Sequence, residues 1–445
     1  MMTSQAGAEE TPVQTIHYNA AEREEYPIAL AARIGAKFDV RAPLEAFDFP
    51  EKGNINLDTF CLVCGPPKQT REYILQRINQ EVFCRPDAVM AAMLASLESQ
   101  RQSVAQGLLP VGREWDVITL LPTRDGSPYL TWTDRRGTTY WRLMVRIPAC
   151  QNYKSLSEIA DRDQQLFIAE EAGRGLAMYG DFTSSMDVSK LVSSLPGYRD
   201  TGGYYNQFKS IIAGHRQLEE VNHLLPEDEL VRESTKQHFL VVIPQTEYRE
   251  RLEDRELQHY IELVRNHEEL GLTFTREMES CRIRTVGIHG DTKLENFLFS
   301  QETGRVKALV DLDTIMPHTW LSDWGDMMRS LANVAGEKET DLGKVRVDME
   351  IYEAVARGFL STARKVTDAE IELMVEAVQI IALELGMRFL TDYLRGDSYF
   401  KLGPNDLPDL NKVRAMVQLS LFEKLQDSAD QARNCIDSLR AAKKE

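Results

Sequence analysis

Along the chain, the pattern of apolar and polar positions changes twice. From Phe47, short runs rich in β-branched and aromatic residues (55–63, 73–78, 115–121, 129–133 and 140–147) alternate with turn-forming clusters such as Gly65-Pro66-Pro67 and Arg124-Asp125-Gly126-Ser127. Such spacing predicts a small antiparallel sheet. Between the second and third runs, residues 86–108 carry Ala, Met and Leu at helical intervals behind Arg85-Pro86-Asp87, so a helix inserted among the strands is predicted. Ahead of the strands, residues 1–25 read as a polar arm and 26–38 as a short helix.

Beyond Pro148 the apolar positions take up a period near 3.6, over 155–180, 203–225, 247–271, 348–360, 368–394 and 407–443. The interruption is 285–313, where two β-type stretches (285–289 and 306–311) flank a polar segment and a turn at Glu302-Thr303-Gly304. Repeats of about 20 to 50 residues and low-complexity tracts are not found, which argues against a solenoid. The expected class is α+β in two lobes: an arm and helix over 1–38, an antiparallel-sheet N-lobe over 39–147 and a mostly helical C-lobe over 148–445.

Composition fits a globular chain of this size, 445 residues with 43% hydrophobic and 27% charged. A formal charge of −17 repels phosphate backbones and anionic headgroups, so neither nucleic acid nor a membrane is an expected partner, although a local basic site stays compatible. The first 25 residues lack an apolar signal-peptide core, and no stretch of about 18 apolar residues follows, so the expectation is cytoplasmic. Six scattered cysteines without doubled CxxC spacing suit a reducing compartment. Cys61 and Cys64 would point to opposite faces of a strand, with core packing the default reading. His17, His215, His223, His238, His259 and His267 show no paired metal-ligand spacing.

Candidate chemistry gathers in the interruption. Residues 289–296 read His-Gly-Asp-Thr-Lys-Leu-Glu-Asn, a D-x-K-x-x-N pattern with the spacing of a kinase catalytic loop, and Asp311 follows a β-type run. Phosphoryl transfer needs a carboxylate to take the acceptor proton and oxygen ligands to hold Mg²⁺ against the phosphates. Asp291, Asn296 and Asp311 supply that set, and Lys293 could neutralise charge on the transferring group. The alternative is a polar turn leaving a strand, its Asp and Asn bonding locally. Val310-Asp311-Leu312-Asp313 behind it, with strands before and helices after, favours the catalytic reading.

With these blocks the sequence resembles the aminoglycoside phosphotransferase and choline kinase superfamily, which has a protein-kinase-like fold, and within it the N-acetylhexosamine 1-kinases. The resemblance rests on Tyr73-Ile-Leu-Gln-Arg-Ile-Asn79, the 289–296 loop, Ala308 to Pro317 (ALVDLDTIMP), Asp323-Trp-Gly-Asp326, and the segment from Gly386 to Phe400. It implies ATP-dependent phosphorylation of a sugar hydroxyl, the anomeric one of an N-acetylhexosamine or related hexose, with ATP and Mg²⁺ as cofactors. It places Asp291 as general base, Asn296 and Asp311 on the metal, and Asp291, Asp311, Thr314, Arg388 and Tyr399 around the acceptor. Gly53, Asn54 and Asn56 fall in the phosphate-covering loop, Arg77 takes the place of the phosphate-clamping strand lysine, and residues 144–148, with Met144 and Arg146, form the hinge that reads adenine.

Bland readings stand beside these. Arg388 and Tyr399 also suit an amphipathic helix end. Asp323 and Asp326 suit a helix first turn, with Asp323 bracing the loop. Three positions depart from the hexosamine-kinase pattern: Asn54 stands for a frequent histidine, His318 for glycine, and no partner glutamate for Arg77 stands out beyond the candidate Glu98. Other acceptors (an aminoglycoside, choline or an amino alcohol) and a nucleotide-binding pseudokinase are the competing functions, and the assembly is a monomer or homodimer.

Overall fold

The computed structural model describes residues 27–50, 52, 55–135, 137–403 and 406–444, so the polar arm, Gly53 and Asn54 lie outside the described residues. These residues form two compact units. The first draws on Met1–Pro86 and Ile118–Arg146, the second on Asp87–Val117 and Ile147–Glu445.

In the first unit, helix α1 (Pro27–Gly35) covers one face of an antiparallel sheet built from β1 (Leu44–Asp48), β2 (Thr59–Cys64), β3 (Arg71–Arg77), β4 (Leu120–Leu121), β5 (Leu130–Asp134) and β6 (Gly137–Val145). The order is β1-β2-β3-β6-β4, with β5 also paired to β6. Side chains alternate between faces, so Phe60, Leu62, Cys64, Tyr73, Leu75, Trp141 and Leu143 meet Ala31, Ile34 and Phe38 in one core. Cys64 is buried there while Cys61 faces the other side, half-buried. The strand predicted over 115–121 shrinks to Leu120–Leu121 because Trp115 is held elsewhere. Its indole N–H donates to Gln100 Oε1 (2.9 Å), and its ring meets Phe182 edge-on within the second unit. Strand β1, with the burial pattern of a half-exposed edge, had no apolar run to announce it.

The second unit is mostly helical. Helix α2 (Pro86–Ala105), predicted among the strands, folds here from Asp87 onward: Ser99 and Ser103 both donate to Phe182 O, at 2.8 and 2.9 Å. Helix α3 (Arg162–Thr183) begins where Asp161 accepts from Gln164 N–H (2.7 Å), seven residues later than the periodicity suggests. Helix α4 (Thr201–Ala213) leads on to α5 (Trp320–Ala332), α6 (Met349–Thr362), α7 (Met374–Arg395), α8 (Leu410–Asp427) and α9 (Ala429–Lys444). The single helix predicted over 407–443 is thus two, divided at Ser428, whose hydroxyl bonds back to Lys424 O and competes with the helical ladder. The apolar pattern over 247–271 divides likewise at Asp254, which caps Arg255–Asn266 through Glu256 N–H.

Helices α3 and α6 cross where both carry glycine. A β-carbon on Gly173 would stand 2.1 Å from Val355 O, and one on Gly358 would stand 1.9 Å from Glu170 O. Against these helices lie two small antiparallel sheets: β7 (Cys150–Gln151), β9 (Phe297–Ser300) and β10 (Val306–Leu309) in the order β10-β9-β7, and β8 (Val286–Ile288) paired with β11 (Met316–His318). No described helix is long and apolar enough to cross a membrane.

Candidate active site

Strand β8 delivers the 289–296 loop, and α5 holds it. The backbone N–H groups of His289 and Gly290 donate to the two carboxylate oxygens of Asp323, at 2.7 and 2.8 Å. Thr292 donates its N–H to Asp326 (3.2 Å) and its hydroxyl to Asp323 O (2.6 Å). Burial pushes the Asp323 carboxyl up, and the charges and N–H groups of His289, Gly290 and Arg199 oppose that. The bracing role expected for Asp323 matches this geometry. His289 is fully buried, and its Nε2 lies 2.8 Å from Val310 O. A carbonyl only accepts, so Nε2 carries the proton and Nδ1 is left to accept from Asp291 N–H (3.3 Å). Gly290 has φ +88°, and a β-carbon there would stand 2.6 Å from Thr314 O, so the sharp turn into Asp291 requires glycine.

Asp291 leaves this clamp with its carboxylate partly exposed (26%). Lys293 Nζ lies 3.0 Å from Asp291 Oδ2 and 3.2 Å from Glu295 Oε1. Burial works to lower the Lys293 pKa, but the two carboxylates outweigh it and hold the ammonium well above its ordinary range. Asn296 is buried, and its Nδ2 donates to Asp291 O (2.7 Å). Its own carbonyl accepts from Val310 N–H (2.8 Å), the residue before Asp311. Val310 therefore ties the end of β10 to both His289 and Asn296. Asp311 follows with an exposed side chain and a left-handed backbone (φ 63°, ψ 58°), a conformation that non-glycine residues adopt rarely and that aspartate tolerates better than most.

These residues fit a magnesium ion. Fixing Asn296 Nδ2 on Asp291 turns the amide oxygen the other way, and that oxygen with the Asp311 carboxylate gives hard donors. Among the described residues no group of three His, Cys, Asp or Glu suits a metal. Thr314, expected near the acceptor, donates its hydroxyl to His289 O (2.7 Å).

Arg388 and Tyr399 meet beside this loop. The Arg388 guanidinium lies 4.6 Å from the ring centre of Tyr204, 5.4 Å from those of Tyr198 and Phe400, and 5.6 Å from that of Tyr399, with Nη2 3.4 Å from the Tyr399 hydroxyl. Burial disfavours its charge, but Tyr204, Tyr399, Tyr198 and Glu384 more than compensate, so it stays cationic. The turn carrying Tyr399 is fixed by Asp392, which accepts from the N–H groups of Ser398, Tyr399 and Phe400 at 3.2, 2.9 and 2.8 Å. His238 meets Tyr399 edge-on at 5.1 Å. Tyr198 and Arg199 reach the loop itself, donating to Gly290 O at 2.8 and 3.3 Å. Tyr198 and Arg199 sit outside any motif; His238 reads in the sequence as a lone histidine, and Asp392 lies within the 386–400 block but carries no assigned role there. Glu384, buried within the apolar run Ile380-Ile-Ala-Leu-Glu384, was the one visible signal.

In the first unit, Arg77 Nη2 pairs with Asp58 (2.5 Å), the residue before β2; in the second, Glu98 accepts from Gln102 on its own helix (2.7 Å). Asn56 is buried and its Oδ1 accepts from Asn79 N–H (3.0 Å). Arg146 pairs with Glu72 at the surface, and Met144 stands in β6 between Ile74 and Leu120. The N–H groups of Val145 and Arg146 already donate to Thr119 O and Glu72 O (2.9 and 3.1 Å).

Residues 68–356, well over half of the chain, match the sequence profile of the phosphotransferase enzyme family (APH). Among solved structures, a microcompartment-associated aminopropanol kinase aligns with a TM-score of 0.52 at 13% identity, over 91% of this chain and 98% of that one. At that identity the likeness speaks to the fold. A putative aminoglycoside phosphotransferase from Ralstonia eutropha aligns with a TM-score of 0.46 at 13% identity (90% and 98% covered), and an ethanolamine kinase from Plasmodium vivax with 0.41 at 9% (84% and 81%).

Proposed function

The chain belongs to the phosphotransferase enzyme family, and from that premise we propose that it transfers the γ-phosphoryl group of ATP to a hydroxyl of a neutral sugar. In this reading the acceptor O–H gives its proton to Asp291, a new O–P bond forms, the bond from Pγ to the β,γ-bridging oxygen breaks, and ADP leaves. Lys293, charged beside Asp291, offsets negative charge on the moving group. Asn296 and Asp311 would hold Mg²⁺, which when bound neutralises charge on the phosphate oxygens. Arg77, braced by Asp58, is assigned to the nucleotide phosphates, and the backbone of 144–148 to adenine, through peptide groups other than the Val145 and Arg146 N–H. Asn56 and Arg146, tied to Asn79 and Glu72, are given bracing roles.

One observation carries the acceptor class. Tyr198, Tyr204, Tyr399 and Phe400 surround a guanidinium that belongs to the chain itself. Aromatic faces that could attract a cationic acceptor are therefore already engaged, and the fixed positive charge repels choline, amino alcohols and aminoglycosides. Arginine donors and a partly exposed tyrosine ring suit a hydroxyl-rich pyranose instead. Together with the blocks at 308–317 and 386–400, this favours the anomeric hydroxyl of an N-acetylhexosamine, giving the sugar 1-phosphate. The test is ADP release from Mg·ATP with N-acetylglucosamine, N-acetylgalactosamine, glucose and galactose, against choline, 1-amino-2-propanol and kanamycin. Turnover confined to the sugars supports the reading; turnover with the amines alone overturns it.

A further inference from the structure

Tyr198 and Arg199 lie in the irregular segment before α4, outside every motif that suggests chemistry. Each has one end on the loop that carries Asp291. The Tyr198 hydroxyl donates to Gly290 O at 2.8 Å, and Arg199 Nη2 donates to the same carbonyl at 3.3 Å. Gly290 is the residue next to Asp291, so two donors on its carbonyl fix the peptide from which the carboxylate projects.

Their other ends lie on the helix that carries Arg388. The ring of Tyr198 sits 5.4 Å from the Arg388 guanidinium. Arg199 Nη1 pairs with Glu384 at 3.2 Å, and Glu384, four residues before Arg388 in α7, is on the same helix face. Thr201 holds the second Glu384 oxygen at 2.6 Å. Arg199 has a left-handed backbone (φ 60°), and its N–H donates to the hydroxyl of Tyr204, whose ring is 4.6 Å from Arg388. A strained arginine held by its neighbours in a fully buried network is built for position, since strain of this kind persists only where surroundings over-determine it.

We propose that Tyr198, seconded by Arg199, is a positioning residue that couples the acceptor contact at Arg388 to the orientation of Asp291. It touches neither reacting atom. A bound acceptor that orders Arg388 against the Tyr198 ring also fixes the hydroxyl on Gly290, so that occupancy of the acceptor site sets the carboxylate in line. The inference rests on the reading of Asp291 as base and Arg388 as acceptor contact.

Tyr198→Phe keeps the ring under Arg388 and removes only the donor to Gly290 O. With whichever N-acetylhexosamine gives the higher turnover above, kcat is expected to fall about tenfold, the worth of one hydrogen bond, while KM for sugar and for ATP stays within about twofold. Tyr198→Leu removes the ring as well, and the sugar KM is expected to rise about fivefold in addition. A purely structural role would instead lower the melting temperature of Tyr198→Phe and leave the kcat of the folded fraction unchanged, which overturns the proposal. Asp291→Ala run alongside separates the two ideas. If it is inactive while Tyr198→Phe turns over like the parent, the coupling is wrong and the base assignment stands; if it retains full turnover, the reading of the site itself has failed.

Discussion

At the scale of single residues, the site depends on groups whose charge state is set by what surrounds them. Asp291 projects from the clamped turn after Gly290 and, with Glu295, faces the Lys293 ammonium. Asp291→Ala is expected to lower kcat by about 10²- to 10⁴-fold with ATP affinity little changed, read from steady-state ADP release and nucleotide titration. His318 behaves differently. Burial, with Arg199 adding to it and Glu384 opposing, pushes its imidazole down to about 4, and Ser322 Oγ lies 2.5 Å from Nδ1. The unfolded chain takes up that proton near its ordinary 6.5, so protons favour unfolding between the two values. Stability is therefore full above about pH 6.5 and is lost as pH falls toward 4. Melting curves should show this acid slope, made shallower by His318→Asn; His238, pushed down to about 4 by burial and by Arg395 and Arg388, contributes in the same direction. The motif residues were legible because Asp, Lys and Asn at fixed spacing have few other uses. Tyr198 and Arg199 were not, because a lone tyrosine or arginine between helices looks the same in sequence whether it organises a site or faces water.

At the scale of elements, caps and crossings decide what periodicity leaves open. The apolar period placed α3, α6 and α7 in the right stretches, yet Asp161, Asp254 and Ser428 moved or divided helices by bonding backbone groups that periodicity does not see. Helix α2 was read from its own residues, but its allegiance was not: Ser99 and Ser103 find Phe182 O only in three dimensions. The crossing of α3 on α6 admits no side chain at Gly173 or Gly358, where an added carbon would meet a carbonyl oxygen of the facing helix. Gly358→Ala should force the helices apart at a cost of roughly 3 kcal/mol, seen as a lower urea midpoint with the slope unchanged. An unshifted midpoint would show that the crossing is not tight.

For the whole molecule, charge and division matter more than any one contact. The first unit is assembled from two separated stretches, with Asp87–Val117 given over to the second. A strand-then-helix texture made the sheet-first, helix-after class foreseeable, whereas the detour of 87–117 was hidden because it falls between strands in sequence. The net charge of −17 is carried by a chain in which buried Arg199 is neutralised internally by Asp326 and Glu384. Purified protein is therefore expected to pass through a heparin column at about 0.1 M salt, since long-range repulsion outweighs local basic sites there. Retention would point to a basic face that the overall balance conceals.

The guanidinium held among four rings also bears on how such an enzyme changes its diet. A box of π faces is what a trimethylammonium group would seek, and here an internal tenant keeps it shut. Replacing Arg388 by a small residue would leave a vacancy lined by four rings, and under the proposed sugar reading that single change is the one expected to admit an onium guest.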